Sequence, residues 1–192
     1  MDCPRSIKAH WNKKYLKKNY TLEIRPAAAL VGAKEELLAR RGRALDLACG
    51  AGGNAVYLAR LGFQVEGVDI SLVGIQQAKK LAAAKGVRLD LWVADLANYP
   101  LPVNRYDLIV NINFLLRDLI QPIDRALKSG GLLIFQTYTR EDPKFERDRH
   151  SHPEFYLYPQ ELFSFFFGYR TWYAYEGPYA GRQIACLIAE KP

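Results

Sequence analysis

The chain is poor in cysteine: Cys3, Cys49 and Cys186 are all it has in 192 residues. An odd number without regular spacing argues against a disulfide framework or a thiolate zinc site and suits a reducing, cytoplasmic setting. No apolar run approaches the roughly 18 residues of a membrane-spanning helix. The opening MDCPRSIKAHWNKKY is basic and lacks the apolar segment of a secretory signal. Charge and apolar content are ordinary, at 24% and 49%, as in a globular protein. The length suffices for a complete core, and we read residues 1–192 as a single domain. Acidic residues are scarce near the start. Lys8, Lys13, Lys14, Lys17, Lys18 and Arg25 face only Glu23, within a net charge of +7. Such an excess reads either as a phosphate-contacting patch or as a solvated helix face.

One stretch organises the rest: Arg43-Ala-Leu-Asp-Leu-Ala-Cys-Gly-Ala-Gly-Gly-Asn54. It predicts a buried strand over Ala44–Leu47, a glycine loop, and a helix from Asn54 to Leu61. Loop N–H groups and the positive helix end would point at a ligand, with Gly50, Gly52 and Gly53 permitting close approach. Asp46 adds a carboxylate just before the turn. Cys49 reads as a small residue packed beneath the loop rather than as a nucleophile.

Upstream, Ser6–Lys17 is predicted helical, with Ile7, Trp11 and Tyr15 on one stripe. It is either packed on the core edge or a lid with Trp11 or Tyr15 as an apolar wall. A second helix is expected from Pro26 to about Arg40, ended by Gly42. Downstream come a strand at Phe63–Asp69, a helix capped by Ser71 and closed by Gly86, and a strand at Val87–Ala94. A strand at Arg105–Asn111 follows. A helix at Leu116–Leu127, interrupted or restarted near Pro122, ends at Ser129-Gly-Gly131, and a strand spans Leu132–Tyr138. The alternation predicts βαβ units and a mostly parallel α/β sheet, with ligands beyond the strand carboxyl ends. Residues 139–159 lack a period and suit a lid over such ends. A short aromatic helix is expected over Gln160–Phe167. Strands at Tyr169–Glu176 and Gln183–Glu190 around Gly177–Gly181 form a terminal hairpin.

Two ligands suit a glycine turn with an acidic residue about 20 positions on. Gly50-x-Gly52-x-x-Ala55 with Asp69 meets the loose dinucleotide pattern. S-adenosylmethionine has no pyrophosphate but carries a ribose diol, an adenine and an amino-acid head group. Asp46 can support the loop and an ammonium, Asp69 can accept ribose hydroxyls, and Asp95 can accept from the adenine amino group. Three aspartates on successive strand ends favour the methyl donor, although each alone reads as a cap or strand-end solvation.

These residues resemble those of class I S-adenosylmethionine-dependent methyltransferases over nearly the whole chain. Asp46-Leu-Ala-Cys-Gly50-Ala-Gly52 is similar to the first motif, departing from it at Ala48, where glycine is commonest. Val65–Ser71 resembles the second, Ala94-Asp95-Leu96 the third and Tyr106–Asn111 the fourth. Leu127–Ile134 resembles the glycine turn and fifth strand. His10-Trp11-Asn-Lys-Lys-Tyr15 and Cys-Gly-x-Gly-x-Asn54 resemble the small bacterial branch that includes tellurite-resistance methyltransferases, which often has arginine in place of Gly53. The resemblance implies a Rossmann-like three-layer sandwich, with a seven-stranded mostly parallel sheet and an antiparallel last strand. It implies S-adenosylmethionine as cofactor, with S-adenosylhomocysteine as product. It places the cofactor on Trp11, Asp46, Ala48, Gly50, Gly52, Asn54, Asp69, Ile70, Asp95, Leu96 and Asn111. Residues 1–42 would supply N-terminal helices and a lid, 43–138 the cofactor-binding core, and 139–192 the acceptor side.

Acceptor-side candidates are Asn113, Phe114, Tyr138, Arg140, His150 and His152. The histidines are bases or ordinary loop residues. Arg140 holds an anionic acceptor or pairs with Glu141 or Asp142. None of these carries a catalytic label, and no metal is expected. The favoured function is methyl transfer to a small molecule. The alternatives are an RNA or protein methyltransferase using the basic face, or a non-catalytic adenosyl-nucleoside-binding protein; a dinucleotide oxidoreductase ranks last. We expect a cytoplasmic monomer or homodimer with no membrane partner.

Overall fold

The structure, a computed structural model, describes residues 4–16, 25–148 and 152–192. Lys17, Lys18, Glu23 and His150 therefore lie outside the described residues. Seven strands form one mostly parallel sheet. The chain divides into two compact units, Met1–Pro100 and Leu101–Pro192.

The first unit holds α1 (Pro4–Tyr15), α2 (Ala28–Gly32), α3 (Lys34–Leu38), β1 (Arg43–Leu47), α4 (Gly53–Arg60), β2 (Gln64–Asp69), α5 (Leu72–Ala84) and β3 (Leu89–Val93). β1 pairs in parallel with β2, and β2 with β3. Four of the five β1 residues are buried, which explains why an apolar run rather than an alternating one forms this strand. Each large apolar side chain so buried is worth about 1.5–3 kcal/mol. The helix expected over Pro26–Arg40 is instead two short ones. The chain leaves helical geometry at Ala33 (φ −87°, ψ 17°), directly after Gly32, a poor helix former. Leu30, Ala33 and Leu37 still point into the core. Ser71 caps α5 as expected: its hydroxyl accepts from the Gly74 N–H at 3.0 Å.

The second unit holds β4 (Tyr106–Ile112), a 3₁₀ turn (Arg117–Leu119), α6 (Ile120–Ala126), β5 (Leu127–Tyr138), α7 (Phe145–Asp148), a 3₁₀ turn (Pro153–Phe155), α8 (Glu161–Phe165), β6 (Arg170–Tyr179) and β7 (Arg182–Glu190). The helix restarts near Pro122 as expected: the 3₁₀ turn gives way to α6, and Pro122 sits in its first turn, where its missing N–H has no helical partner to lose. The glycine pair before the fifth strand also differs from expectation. β5 already begins at Leu127, opposite Tyr106, and the register then jumps to Leu108 opposite Leu132. Gly130 (φ 73°) donates its N–H to the Lys191 carbonyl at 2.9 Å, so this segment is a bulge within the strand.

β4 and β5 are parallel, whereas β7 is antiparallel to both β5 and β6. The expected antiparallel strand is present, seated between β5 and β6. The hairpin turn is tighter than expected. Tyr179 pairs with Arg182, which leaves Ala180 and Gly181 as a two-residue turn, both at positive φ. Among the described residues no helix is long and apolar enough to cross a membrane.

Candidate functional site

The site grows from the end of β1. Ala48 (φ 52°), Gly50 (φ 54°) and Gly52 (φ 83°) are all left-handed, alternating with their neighbours, and this pattern winds the loop into α4. Ala48 keeps the left-handed geometry although it has a Cβ. Gly52 is required by packing: a Cβ there would lie 2.7 Å from that of Ala78 in α5. Gly67 in β2 leaves room beneath the loop, since its Cβ would lie 3.0 Å from the Cys49 Sγ. Cys49 is buried, and burial, with Asp46 and Asp69 nearby, pushes its thiol well up. That is an inert packing residue.

Three of the loop N–H groups, those of Cys49, Gly50 and Gly52, are engaged within the protein. Gly50 donates to Asp69 Oδ2 at 2.8 Å. Gly52 donates to the Cys49 carbonyl at 2.9 Å, and Cys49 to the Val68 carbonyl at 3.1 Å. The Ala55 N–H, in the first turn of α4, favours the charged form of Asp46.

Asp46 is 1% exposed, and its Oδ2 has no hydrogen-bond partner among the described residues. Burial pushes its carboxyl up to about 8, the Ala55 N–H pulls the other way, and the charge of Asp69 adds to the rise. Asp69 is buried too. Its Oδ1 accepts from the Ser71 N–H at 2.8 Å, and burial raises its pKa despite the two backbone donors. Ala94 donates to the Asp69 carbonyl at 3.0 Å, which brings the end of β3 alongside. Beyond it, Asp95 Oδ1 accepts from the Ala97 N–H at 3.0 Å, and Leu96 is buried. Ile70 is half-buried between Asp69 and the Ser71 cap.

Sequence reasoning missed the main contacts of α1. Asn12 Oδ1 accepts from the Ser71 hydroxyl at 2.7 Å. Tyr15 is buried against the loop: a Cβ at Gly50 would fall on its hydroxyl, and one at Gly74 would lie 3.0 Å from its ring. Gln77 ties down the Tyr15 carbonyl at 2.6 Å. Asn12 lies one position off the apolar stripe, so periodicity alone did not single it out. Trp11 stacks on Tyr15 (centroids 5.9 Å apart, 29° between planes), with Lys14 Nζ 4.1 Å from its ring.

Other expected residues make contacts within the protein. Asn54 Oδ1 accepts from the Ala27 N–H at 2.9 Å, tying the segment before α2 to α4. In the second unit, the buried Asn111 donates through Nδ2 to the Phe114 carbonyl at 2.6 Å. Asn113 is left-handed (φ 57°) and donates to the Gln136 carbonyl at 2.7 Å. Tyr138 lies under Arg182, 3.6 Å from ring centroid to guanidinium. Asp142 pairs with Arg182 (2.8 and 3.0 Å), so it is not the partner of Arg140. His152 stacks on Phe155 at 5.0 Å and lies 3.6 Å from Glu154. Among the described residues no group of three histidines, cysteines or carboxylates is placed to hold a metal.

Residues 44–131 match the family model described as a methyltransferase domain. Ribosomal RNA small subunit methyltransferase C of Alcanivorax borkumensis is 34% identical over 107 residues, covering 50% of this chain and 32% of that protein. Malonyl-[acyl-carrier protein] O-methyltransferase of Enterobacter lignolyticus is 35% identical over 123 residues, covering 60% and 46%. The chain thus spans less than half the length of these curated relatives. TehB from Haemophilus influenzae superposes with a TM-score of 0.72 at 21% identity, over 96% of this chain and 67% of that one. Residues 44–131 thus have the sequence pattern of a methyltransferase domain, and the chain shares the fold of TehB.

Proposed function

We propose that the chain binds S-adenosylmethionine and transfers its methyl group in line to a small-molecule acceptor. The carrying observation is the set of acidic side chains gathered at the loop. The Gly50 N–H, a donor that a pyrophosphate would need, is given to Asp69. What the loop offers is acceptors. The orphaned Asp46 Oδ2 fits the ammonium of the methionine end. Asp69 accepts two N–H bonds and, as a carboxylate with about four lone-pair sites, retains capacity for a ribose diol. Asp95 has one oxygen on Ala97 and the other for an adenine amino group.

The bound cofactor supplies an activated methyl on sulfonium. The chain then contributes binding and alignment, and a base only where the acceptor must lose a proton. Tyr15 and Trp11 cover the loop side.

An RNA acceptor is the second reading. It draws on the rRNA methyltransferase among the relatives and on the exposed Lys8 and Lys13 of α1. A labelled-methyl screen over small acids, neutral metabolites and RNA separates the two. Transfer to small molecules with little salt dependence supports the first reading. Transfer to RNA alone, falling steeply with salt, replaces it with the second.

A further inference from the structure

The second unit holds three arginines around the chain beyond β5, and two have a carboxylate. Arg117 clamps Glu161 through Nε and Nη2, both at 2.7 Å. Arg182 clamps Asp142 at 2.8 and 3.0 Å. Arg140 has none among the described side chains, which do not include that of Asp148, and its buried Nε has no hydrogen-bond partner among them. Glu161 feels its charge, but both Glu161 oxygens are taken, Oε1 by Arg117 and Oε2 by Arg117 and the Tyr158 N–H.

Arg140 is nevertheless held in place. Its guanidinium lies 3.6 Å from the centroid of the Tyr158 ring and 5.5 Å from that of Phe145. Its N–H donates to the Leu157 carbonyl at 2.9 Å, and the Leu157 N–H donates to Tyr138 at 2.9 Å. Thr139 and Leu157 form a parallel bridge. Tyr158 is fixed in turn by Glu161, which Arg117 anchors. A planar cation seated on an aromatic face, with part of its donor fork desolvated and unmatched, is costly unless an anion completes it. It stands two residues past the carboxyl end of β5, the side on which sheets of this class bind ligands.

We propose that Arg140 is the recognition site for a carboxylate or oxyanion group of the methyl acceptor. This rests on the methyl-transfer reading above and narrows it to an anionic acceptor. The fork of Arg140 supplies two parallel donors, and Tyr158 sets their plane. The oxyanion arrives charged, so recognition needs no proton transfer at this residue.

The test follows the arginine Nε–H resonances of the full chain by NMR, with acetate and inorganic phosphate as separate probes. The Arg140 signal is identified by its loss in Arg140→Gln. It should shift saturably with one or both probes, acetate marking a carboxylate site and phosphate an oxyanion site. Arg140→Gln should weaken binding of that probe about tenfold or more. Arg140→Lys, which retains charge but not the fork, should fall between them. Equal thermal melting of the variants shows that they are folded. S-adenosylhomocysteine affinity, measured alongside, should be the same in all three proteins. Saturable probe binding that Arg140→Gln leaves intact, or an Arg140 resonance unmoved by both probes, overturns the proposal while S-adenosylhomocysteine still binds. Absence of S-adenosylhomocysteine binding in the unmodified chain instead overturns the reading on which it rests.

Discussion

The Gly50 amide donates to Asp69 Oδ2 at 2.8 Å, so the glycine loop is pinned by the carboxylate that ends the second strand. The other oxygen of the same group holds the Ser71 N–H at 2.8 Å, at the cap of α5. One side chain thereby sets the loop, the strand end and a helix start. Asp69→Ala leaves two buried N–H groups without an acceptor. It should cost about 2–4 kcal/mol in urea unfolding and abolish measurable S-adenosylhomocysteine binding in calorimetry. A variant that binds the nucleoside as well as the parent would separate Asp69 from the cofactor site.

Ala48 sits at φ 52°, a conformation that costs an alanine about 1 kcal/mol and a glycine little. Ala48→Gly should therefore be neutral to stabilising, by up to about 1 kcal/mol, although glycine usually destabilises elsewhere. The midpoint of chemical denaturation reads this directly. A loss of more than about 1 kcal/mol would mean that the Ala48 methyl packs against something that offsets the backbone strain.

Asp46 predicts an unusual pH dependence. Its folded carboxyl is raised from 3.8 to about 8, so the folded chain holds a proton that the unfolded chain has released. The stability this contributes is complete below the ordinary carboxylate value and is lost as pH rises from about 4 through 8. The slope is at most about 1.4 kcal/mol per pH unit. Asp69, raised in the same direction, adds to it. Asp46→Asn should flatten the decline in a series of unfolding curves between pH 5 and 8.

Asp142 acts in the opposite window. Arg182 and the backbone N–H groups of Gln183 and Lys144 outweigh burial and hold its carboxyl below the usual range. Its contribution is present above the ordinary carboxylate pKa and is lost as pH falls through its lowered folded value. Asp142→Asn should cost about 3 kcal/mol at neutral pH, because Arg182 is left without its partner. That cost should shrink in acid, as urea unfolding across pH 2 to 7 would show.

The strands and the acidic residues at their ends were legible in the sequence because apolar runs and terminal aspartates are local signals. The α5 cap at Ser71 was equally local. The break at Ala33, the β5 bulge at Gly130 and the short turn at Ala180-Gly181 were not. The bulge depends on register between segments far apart in sequence, Gly130 with Lys191, whereas the break follows Gly32, a poor helix former, and the turn is set by the pairing of Tyr179 with Arg182. The same limit hid the docking of α1: Asn12 meets Ser71 across 59 positions, and Tyr15 closes on Gly50. Sequence also left Arg140 between two roles. The pairing of Asp142 with Arg182 narrowed that choice.

The most direct test of the central claim is calorimetric titration of S-adenosylhomocysteine into the chain near pH 7, repeated in buffers of different ionisation enthalpy. An ammonium brought to the buried Asp46 should expel the proton held by that carboxyl, so binding should release up to one proton, and Asp46→Asn should abolish the release. Binding without proton release would detach the amino-acid head group from Asp46. No binding of S-adenosylhomocysteine, with NAD binding in its place, would contradict the account.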